Sequence, residues 1–301
     1  MYCYFNNKII LESKAGLNLR DLGVLRGFGV FDVLRTYNGK PFMLKEHFAR
    51  LKNSAGVLDL KLPISANEFE ARIFRLLKKN KLNPRTQPAN GESGAVTVCR
   101  QRAEQSPYDG KEAVVRSVLT GGVASDGING ETKPTFFILL EPLPTLNKNL
   151  YKNGIKLITR DHLREFAQAK TTNYILAVLL QKKLKKEKAF EVLYVWQDKI
   201  LECSTSNFFI FKGDTLITSK DNILIGITRN AAMRLAKGKF KIEERDIAKE
   251  ELAFATEAFI AATNKEIIPV VRIDDFAVGN GRVGQNTQWL MNCFSRFVKN
   301  Y

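Results

Sequence analysis

The sequence predicts an α+β protein of two domains, with mixed sheets and flanking helices, and three observations carry that expectation. Runs rich in Val, Ile, Phe and Thr, such as "TFFILLEPL" and "NFFIFKGDTLIT", recur in both halves and read as strands. Between them lie segments with apolar residues at helical spacing, such as "KEHFARLKNSAGVL" and "ANEFEARIFRLLKKNK". The proline-flanked stretch "EPLPTLNKNLYKNG" reads as a connector. It divides a smaller N-terminal α/β domain over residues 1–146 from a larger C-terminal domain over 147–301.

Taken in order, "YCYFNNKII" is strand-like, and "GVFDVLRTYNGKPFML" is a hairpin turning at Asn38 and Gly39, residues that tolerate the positive φ such a turn needs. The two amphipathic helices follow. Residues 85–112 are rich in Gly, Pro, Gln and Ser and form a long polar loop. "AVVRSVLTGG" and "TFFILLEPL" resume the strands before the connector. Beyond it, "IKLITR", "FEVLYVWQDKILECS", "NFFIFKGDTLIT" and "EAFIAATNKEIIPVVRI" are strands, interleaved with helices near 174–188, 229–237 and 284–299.

Composition narrows the setting. A chain of 301 residues, 45% hydrophobic, can bury a substantial core. No apolar run is long enough to span a bilayer, and "MYCYFNNKIILES" lacks the order of a signal peptide, so the cytoplasm is the expected compartment. Cys3, Cys99, Cys203 and Cys293 are far apart and read as reduced thiols, with no metal-ligand spacing. The formal charge of +16 raises nucleic-acid binding, but outside "QKKLKKEK" the basic residues are scattered among acids and no recognition motif accompanies them. Attraction of small anionic substrates is the better use of that charge, and neither nucleic acid nor membrane is an expected partner.

Lys170 stands apart from the lysine cluster, ahead of the apolar run "NYILAVLL". That run reads as a buried helix, with Thr171, Thr172 or Asn173 as its cap. A lysine at the positive end of a helix and partly buried disfavours its ammonium form and becomes a nucleophilic amine; the alternative is a snorkelling lysine with its charge in water. Three other features invite the same question. Glu202 lies where "ILEC" gives way to the hydroxyl-rich bend "STS", and Ile227 and Thr228 open a helix with free backbone N–H groups. Thr263 and Asn264 form a small polar bend directly after a strand. Each also has a plain reading as a solvated acid, a cap or a turn.

Together and in this order, "LRGFGVFDVLRTYNGKPFMLKEHFARLKNSA", "AKTTNY", "ECSTSNFFIF", "GITR", "TNKEIIPV" and "GNGRVGQNT" resemble the fold type IV pyridoxal-phosphate enzymes, the branched-chain and D-amino-acid aminotransferase superfamily. The resemblance covers nearly the whole chain. It implies the two-domain fold type IV architecture, with the C-terminal domain binding pyridoxal 5'-phosphate. It implies that Lys170 carries the internal aldimine, that Glu202 pairs with the pyridine nitrogen and that Tyr174 approaches the phenolic oxygen. Arg50, Ile227, Thr228, Thr263 and Asn264 would hold the phosphate, and the active form would be at least a homodimer. A guanidinium plus helix-start amides suits a dianionic phosphate, and a carboxylate at the ring nitrogen keeps it protonated. His47, on the helix of Arg50, reads as structural.

Arg26, before "GFGVF", and Arg116, in "VVRSVLTGG", suggest a two-arginine clamp on an α-carboxylate, against a reading as surface charges. With these arginines, "VLTGG" followed by "SDG" resembles the D-amino-acid transaminases, which implies action on D-alanine or D-glutamate and a 2-oxo acid such as 2-oxoglutarate. An L-branched-chain aminotransferase is the alternative, and an aminodeoxychorismate-lyase-like enzyme is third.

Overall fold

A computed structural model describes residues 1–81, 112–128 and 133–301; Cys99 and nearly all of the expected 85–112 loop lie outside the described residues. The stretch expected as a single strand at the start is a hairpin of β1 (Tyr2–Phe5) and β2 (Lys8–Leu11), because Asn6 and Asn7 adopt φ of 40° and 71°. Asparagine enters that left-handed region more readily than most residues. A short α1 (Leu22–Arg26), not foreseen, starts where the Asp21 carboxylate accepts from Gly23 N at 2.7 Å and stops at Gly27, φ 64°. Strands β3 (Gly29–Tyr37) and β4 (Lys40–Pro41) turn at Asn38 and Gly39 as expected.

Helices α2 (Leu44–Val57) and α3 (Ala66–Lys79) match the amphipathic segments, and Ser65 with Glu68 forms a capping box at the start of α3. Strands β5 (Ala113–Thr120) and β6 (Thr135–Pro142) complete a six-stranded sheet in the order β2-β1-β6-β5-β3-β4. Every described pairing in it is antiparallel, so mixed pairing belongs to the other sheet alone. Leu51, Phe69, Ile73 and Leu76 of the two helices pack on Val30, Val115 and Ile138 of the sheet. Their burial is the main stabilising term for this half.

After the connector, which includes α4 (Asn149–Asn153), come β7 (Ile155–Asp161), α5 (Ile175–Leu179) and α6 (Gln181–Lys186). They are followed by β8 (Glu191–Trp196), β9 (Lys199–Cys203), β10 (Asn207–Lys212), β11 (Thr215–Thr218) and α7 (Ile227–Ala236). The chain closes with β12 (Lys241–Glu244), β13 (Ile247–Ala248), β14 (Glu257–Ala262), β15 (Glu266–Ile273), β16 (Phe276–Ala277) and α8 (Gln285–Lys299). The strands form a ten-stranded mixed sheet, ordered β12-β11-β10-β14-β15-β7-β8-β9-β13 with β16 beside β15. Helices α7 and α8 bury Phe209, Phe211 and Phe259, and Phe42 from the β3–β4 hairpin packs edge-on against Phe294 of α8.

The segment after Lys170 departs from expectation. Instead of a single buried helix over 174–188 there are two short ones, and Ile175, Val178 and Leu179 are 68%, 69% and 69% exposed. Thr171, Thr172 and Asn173 do not cap: the N-cap position is Tyr174, with no side-chain cap. Residues 170–172 are instead laid along β3, where Phe31 N donates to Lys170 O and Thr172 N to Gly29 O, both at 2.9 Å. Backbone committed to a neighbouring strand cannot begin a helix.

Candidate active site

A cavity of about 560 Å³ lies where the two sheets meet, lined by Phe31 and Val33 of β3, Arg116 and Val118 of β5, Arg50 of α2 and the strand ends of the larger sheet. Lys170 is fixed in its wall from both sides. Its backbone N–H donates to Ser54 Oγ at 3.0 Å and its carbonyl accepts from β3. Its Nζ lies 3.3 Å from Tyr174 Oη and 4.7 Å from the centre of the Phe31 ring, on which Tyr174 packs edge-on. The expected helix-dipole effect lacks its geometry, since α5 is short and begins only at Ile175.

Glu202, at the end of β9, also lines the cavity and is buried. Arg164 donates to its Oε1 through Nε at 3.0 Å and Nη2 at 2.5 Å, and also reaches the carbonyls of Ala167 and Ala169. Asn207 and the backbone N–H of Leu224 donate to Oε2. Burial nevertheless outweighs Arg164 and pushes the Glu202 carboxyl above the usual range. A carboxylate poised this way shares a proton readily with a basic ring nitrogen.

Arg50 is aimed by Asp32, which accepts from its Nε at 2.7 Å and Nη2 at 3.0 Å. His47 Nδ1 lies 2.6 Å from the same carboxylate; since an ionised carboxylate only accepts, the imidazole donates there. Burial pushes His47 down against the Asp32 carboxylate, and among the described residues its buried Nε2 has no partner. His47 therefore positions Asp32 and Arg50 and does not face the cavity wall. Burial raises the Asp32 carboxyl, but Arg50 and then His47 outweigh it and hold it well below the ordinary carboxylate range.

On the larger sheet, Ile227 and Thr228 begin α7, whose first turn has no side-chain cap. Its N-cap is Gly226, where a Cβ would collide with Asn207 Oδ1, so glycine alone lets the helix start approach the residues that hold Glu202. Thr263 and Asn264 line the cavity beyond β14, and Asn264 Oδ1 is buried with no partner among the described residues. The set fits pyridoxal phosphate on these observations. An open helix start and Arg50 suit the phosphate end, Glu202 suits the ring nitrogen, and Lys170 supplies the amine.

The two arginines of the expected clamp are placed differently. Arg26 is exposed at the end of α1, its Nη1 bonded to Leu25 O at 3.1 Å, and it does not line the cavity. Arg116 does line it, but with Glu141 engaged bidentately at 2.5 and 3.0 Å. Sequence reasoning also missed the acids and cations that hold the site: Asp32, Arg164 and the pair Lys265–Glu191. Lys265 lines the cavity and binds Glu191 Oε2 at 2.7 Å, while Glu191 accepts from Ser204, Thr205 and Ser206. The only available signal was Arg164 six residues ahead of Lys170, and nothing in the string ties it to Glu202.

Asp32 generates a pH prediction. Its folded pKa is depressed, so its stabilisation is fully present above the unfolded value of about 3.9 and is lost as pH falls through the folded one. Asp32→Asn should cost about 3 kcal/mol at pH 7 by urea unfolding, because it removes the charge partner of Arg50, whose side chain is only 11% exposed. The gap to wild type should narrow below about pH 4. An equal gap at pH 7 and pH 3 would contradict the linkage.

The family model of class IV amino-transferases matches residues 29–273. A provisionally named branched-chain-amino-acid aminotransferase of Methanocaldococcus jannaschii is 31% identical over 98% of this chain and 95% of its own length. A D-alanine aminotransferase of Listeria monocytogenes is 29% identical over 96% and 93%. In three dimensions the chain is similar to the branched-chain amino acid aminotransferase of Escherichia coli, with TM-score 0.84 and 23% identity over 99% of this chain and 95% of that one. With its cavity built as described and a family match that takes in Arg50, Lys170, Glu202 and Thr263, this chain belongs to the class IV aminotransferases.

Proposed function

We propose that the protein is a pyridoxal-phosphate aminotransferase that takes the amino group from a D-amino acid, D-alanine or D-glutamate, and gives it to a 2-oxo acid such as 2-oxoglutarate. The observation that carries this reading is the state of Lys170. Among the described residues it is the cavity cation without a carboxylate partner, and a phenol is its hydrogen-bond neighbour. A lysine so placed is available for covalent chemistry and proton transfer.

Pyridoxal phosphate supplies an aldehyde that takes up the amino group and a ring that accepts the electrons released at Cα. Arg50, the first-turn N–H groups of Ile227 and Thr228, and the Thr263–Asn264 bend, all in the cavity wall, would hold its phosphate. Glu202 holds a proton at the ring nitrogen, and Tyr174 orients Lys170 by its hydroxyl. The Lys170 amine, beside the space where a substrate Cα would lie, would act as the base and acid that carries a proton to and from that carbon. Phe31, Val33 and Val118 form an apolar wall that excludes water from the substrate end.

The D-amino-acid reading rests on the D-alanine aminotransferase relatives and on Arg116 as an anchor for carboxylate. The second reading, an L-branched-chain enzyme, is favoured by that apolar wall and by the Methanocaldococcus relative. A homodimer is proposed from the apolar surface of Val24, Leu25, Ile175, Val178 and Leu179, which lies on α1 and α5 around the Thr172–Gly27 contact.

Lys170→Ala should lose transamination by several orders of magnitude, because nucleophile and proton shuttle vanish together. Glu202→Gln should keep the cofactor but slow proton abstraction, read as deuterium exchange at Cα; cofactor loss with unchanged turnover of the bound fraction would make Glu202 structural instead. Single-turnover absorbance with pure enantiomers tests the substrate: D-alanine should convert the cofactor and L-leucine should not, and the opposite result selects the branched-chain reading. Sedimentation equilibrium should give at least a dimer, and Val178→Lys should dissociate it; a monomeric wild type removes the proposed interface.

A further inference from the structure

The cavity cations differ in how firmly their acids are held. Arg50, Arg164 and Lys265 pair with Asp32, Glu202 and Glu191, whose side chains are 3%, 7% and 4% exposed. Separating such a pair leaves charges stranded away from water, so those carboxylates are permanent partners. Glu141 is different: it is 38% exposed, and Arg116, which it binds, is 34% exposed. A half-exposed pair gives up its partner to solvent at little cost.

The geometry explains what could take its place. Arg116 is opposite Leu139 and Val114 opposite Glu141 in the β5–β6 ladder, so Glu141 reaches Arg116 along the diagonal. Arg116 Nε meets Oε1 and Nη2 meets Oε2, the two parallel bonds by which a guanidinium grips any carboxylate. Arg116 forms part of the cavity wall, whereas Glu141 holds it from outside that wall. The guanidinium also sits 5.9 Å from the centre of the Phe31 ring, the ring that packs on Tyr174 beside Lys170.

We infer that Glu141 is a specificity-determining residue, a resident carboxylate that an incoming substrate carboxylate displaces from the Arg116 fork. The inference rests on the cavity being the binding site for amino and 2-oxo acids. It makes carboxylate binding an exchange: one bidentate pair is broken as another forms, and Glu141 turns to water. The consequence is weaker binding of acids than a free arginine would give, and faster release of the product acid. Because the same fork serves donor and acceptor in turn, a competitor that loosens both suits an enzyme whose product must leave before the next substrate enters.

The test uses Glu141→Gln, which keeps the shape of the side chain and removes its charge; its exposure leaves folding unaffected, as a melting curve checks. The holoenzyme is titrated with two unreactive acids, succinate and butyrate, followed by cofactor absorbance. The variant should bind at least one of them about threefold tighter or more, the scale of a half-exposed ion pair. A gain for both acids places the α-carboxylate at Arg116, and a gain for succinate alone places the distal carboxylate of a dicarboxylic substrate there; either supports the inference. The gain should vanish when Arg116→Gln is added. Unchanged affinity in Glu141→Gln, or a gain that persists without Arg116, would overturn it. Transamination by the wild type is scored separately, so an active enzyme indifferent to Glu141 removes this inference and leaves the proposed function standing.

Discussion

Two backbone hydrogen bonds, from Phe31 N to Lys170 O and from Thr172 N to Gly29 O, decide where chemistry can happen in this molecule. They lay residues 170–172 against the first sheet, although the strands on either side of that segment belong to the second. Lys170 is thereby held at the junction, where side chains from both sheets face one space. The Thr172 hydroxyl reinforces the contact at Gly27 O, 2.6 Å away, and the Arg164 guanidinium ties down the carbonyls of Ala167 and Ala169 just ahead of it. Buried Ala167 and Ala169 leave room for that guanidinium, and a larger residue at either position would compete with it. Beyond this pairing the chain forms only the short helix α5, with Ile175, Val178 and Leu179 exposed.

Once Lys170 is placed, charge compensation gives it its distinct character. The other cavity cations have acids set beside or behind them, so the wall presents donors to an anion while the region stays close to neutral. That arrangement lowers the desolvation cost of binding a phosphate and a carboxylate without leaving unpaired charge in the folded chain. Glu202 is the inverse case, an acid facing inward with its arginine alongside. Burial raises its proton affinity, which suits the proposed sharing of a proton with the cofactor's ring nitrogen.

Much of this was legible in the string because several functions depend on local chemistry. A hairpin at Asn38-Gly39, a helix start at Ile227, a polar bend at Thr263-Asn264 and an amine ahead of an apolar run are each set by a few neighbouring residues. What was not legible depends on distance in sequence. Arg164 meets Glu202 across 38 positions and Lys265 meets Glu191 across 74, and no spacing rule links such partners before the sheets assemble. Arg26 lies outside the cavity lining of this chain for a related reason: proximity to the "GFGVF" motif says nothing about direction, and the left-handed Gly27 ends α1 with that side chain exposed. The burial of "NYILAVLL" was misjudged because apolar content alone does not tell a face packed in the core from one left on the surface of the chain.

The claim on which the account turns is that Lys170, and not the second cavity lysine, is the reactive amine. Borohydride reduction of the holoenzyme followed by peptide mapping tests it directly. Lys265 lines the same cavity but is bound to Glu191, Thr205 and Ser206, so the account predicts the phosphopyridoxyl group on the peptide carrying Lys170 alone. Label on Lys265, or no label in a protein that transaminates, would contradict it.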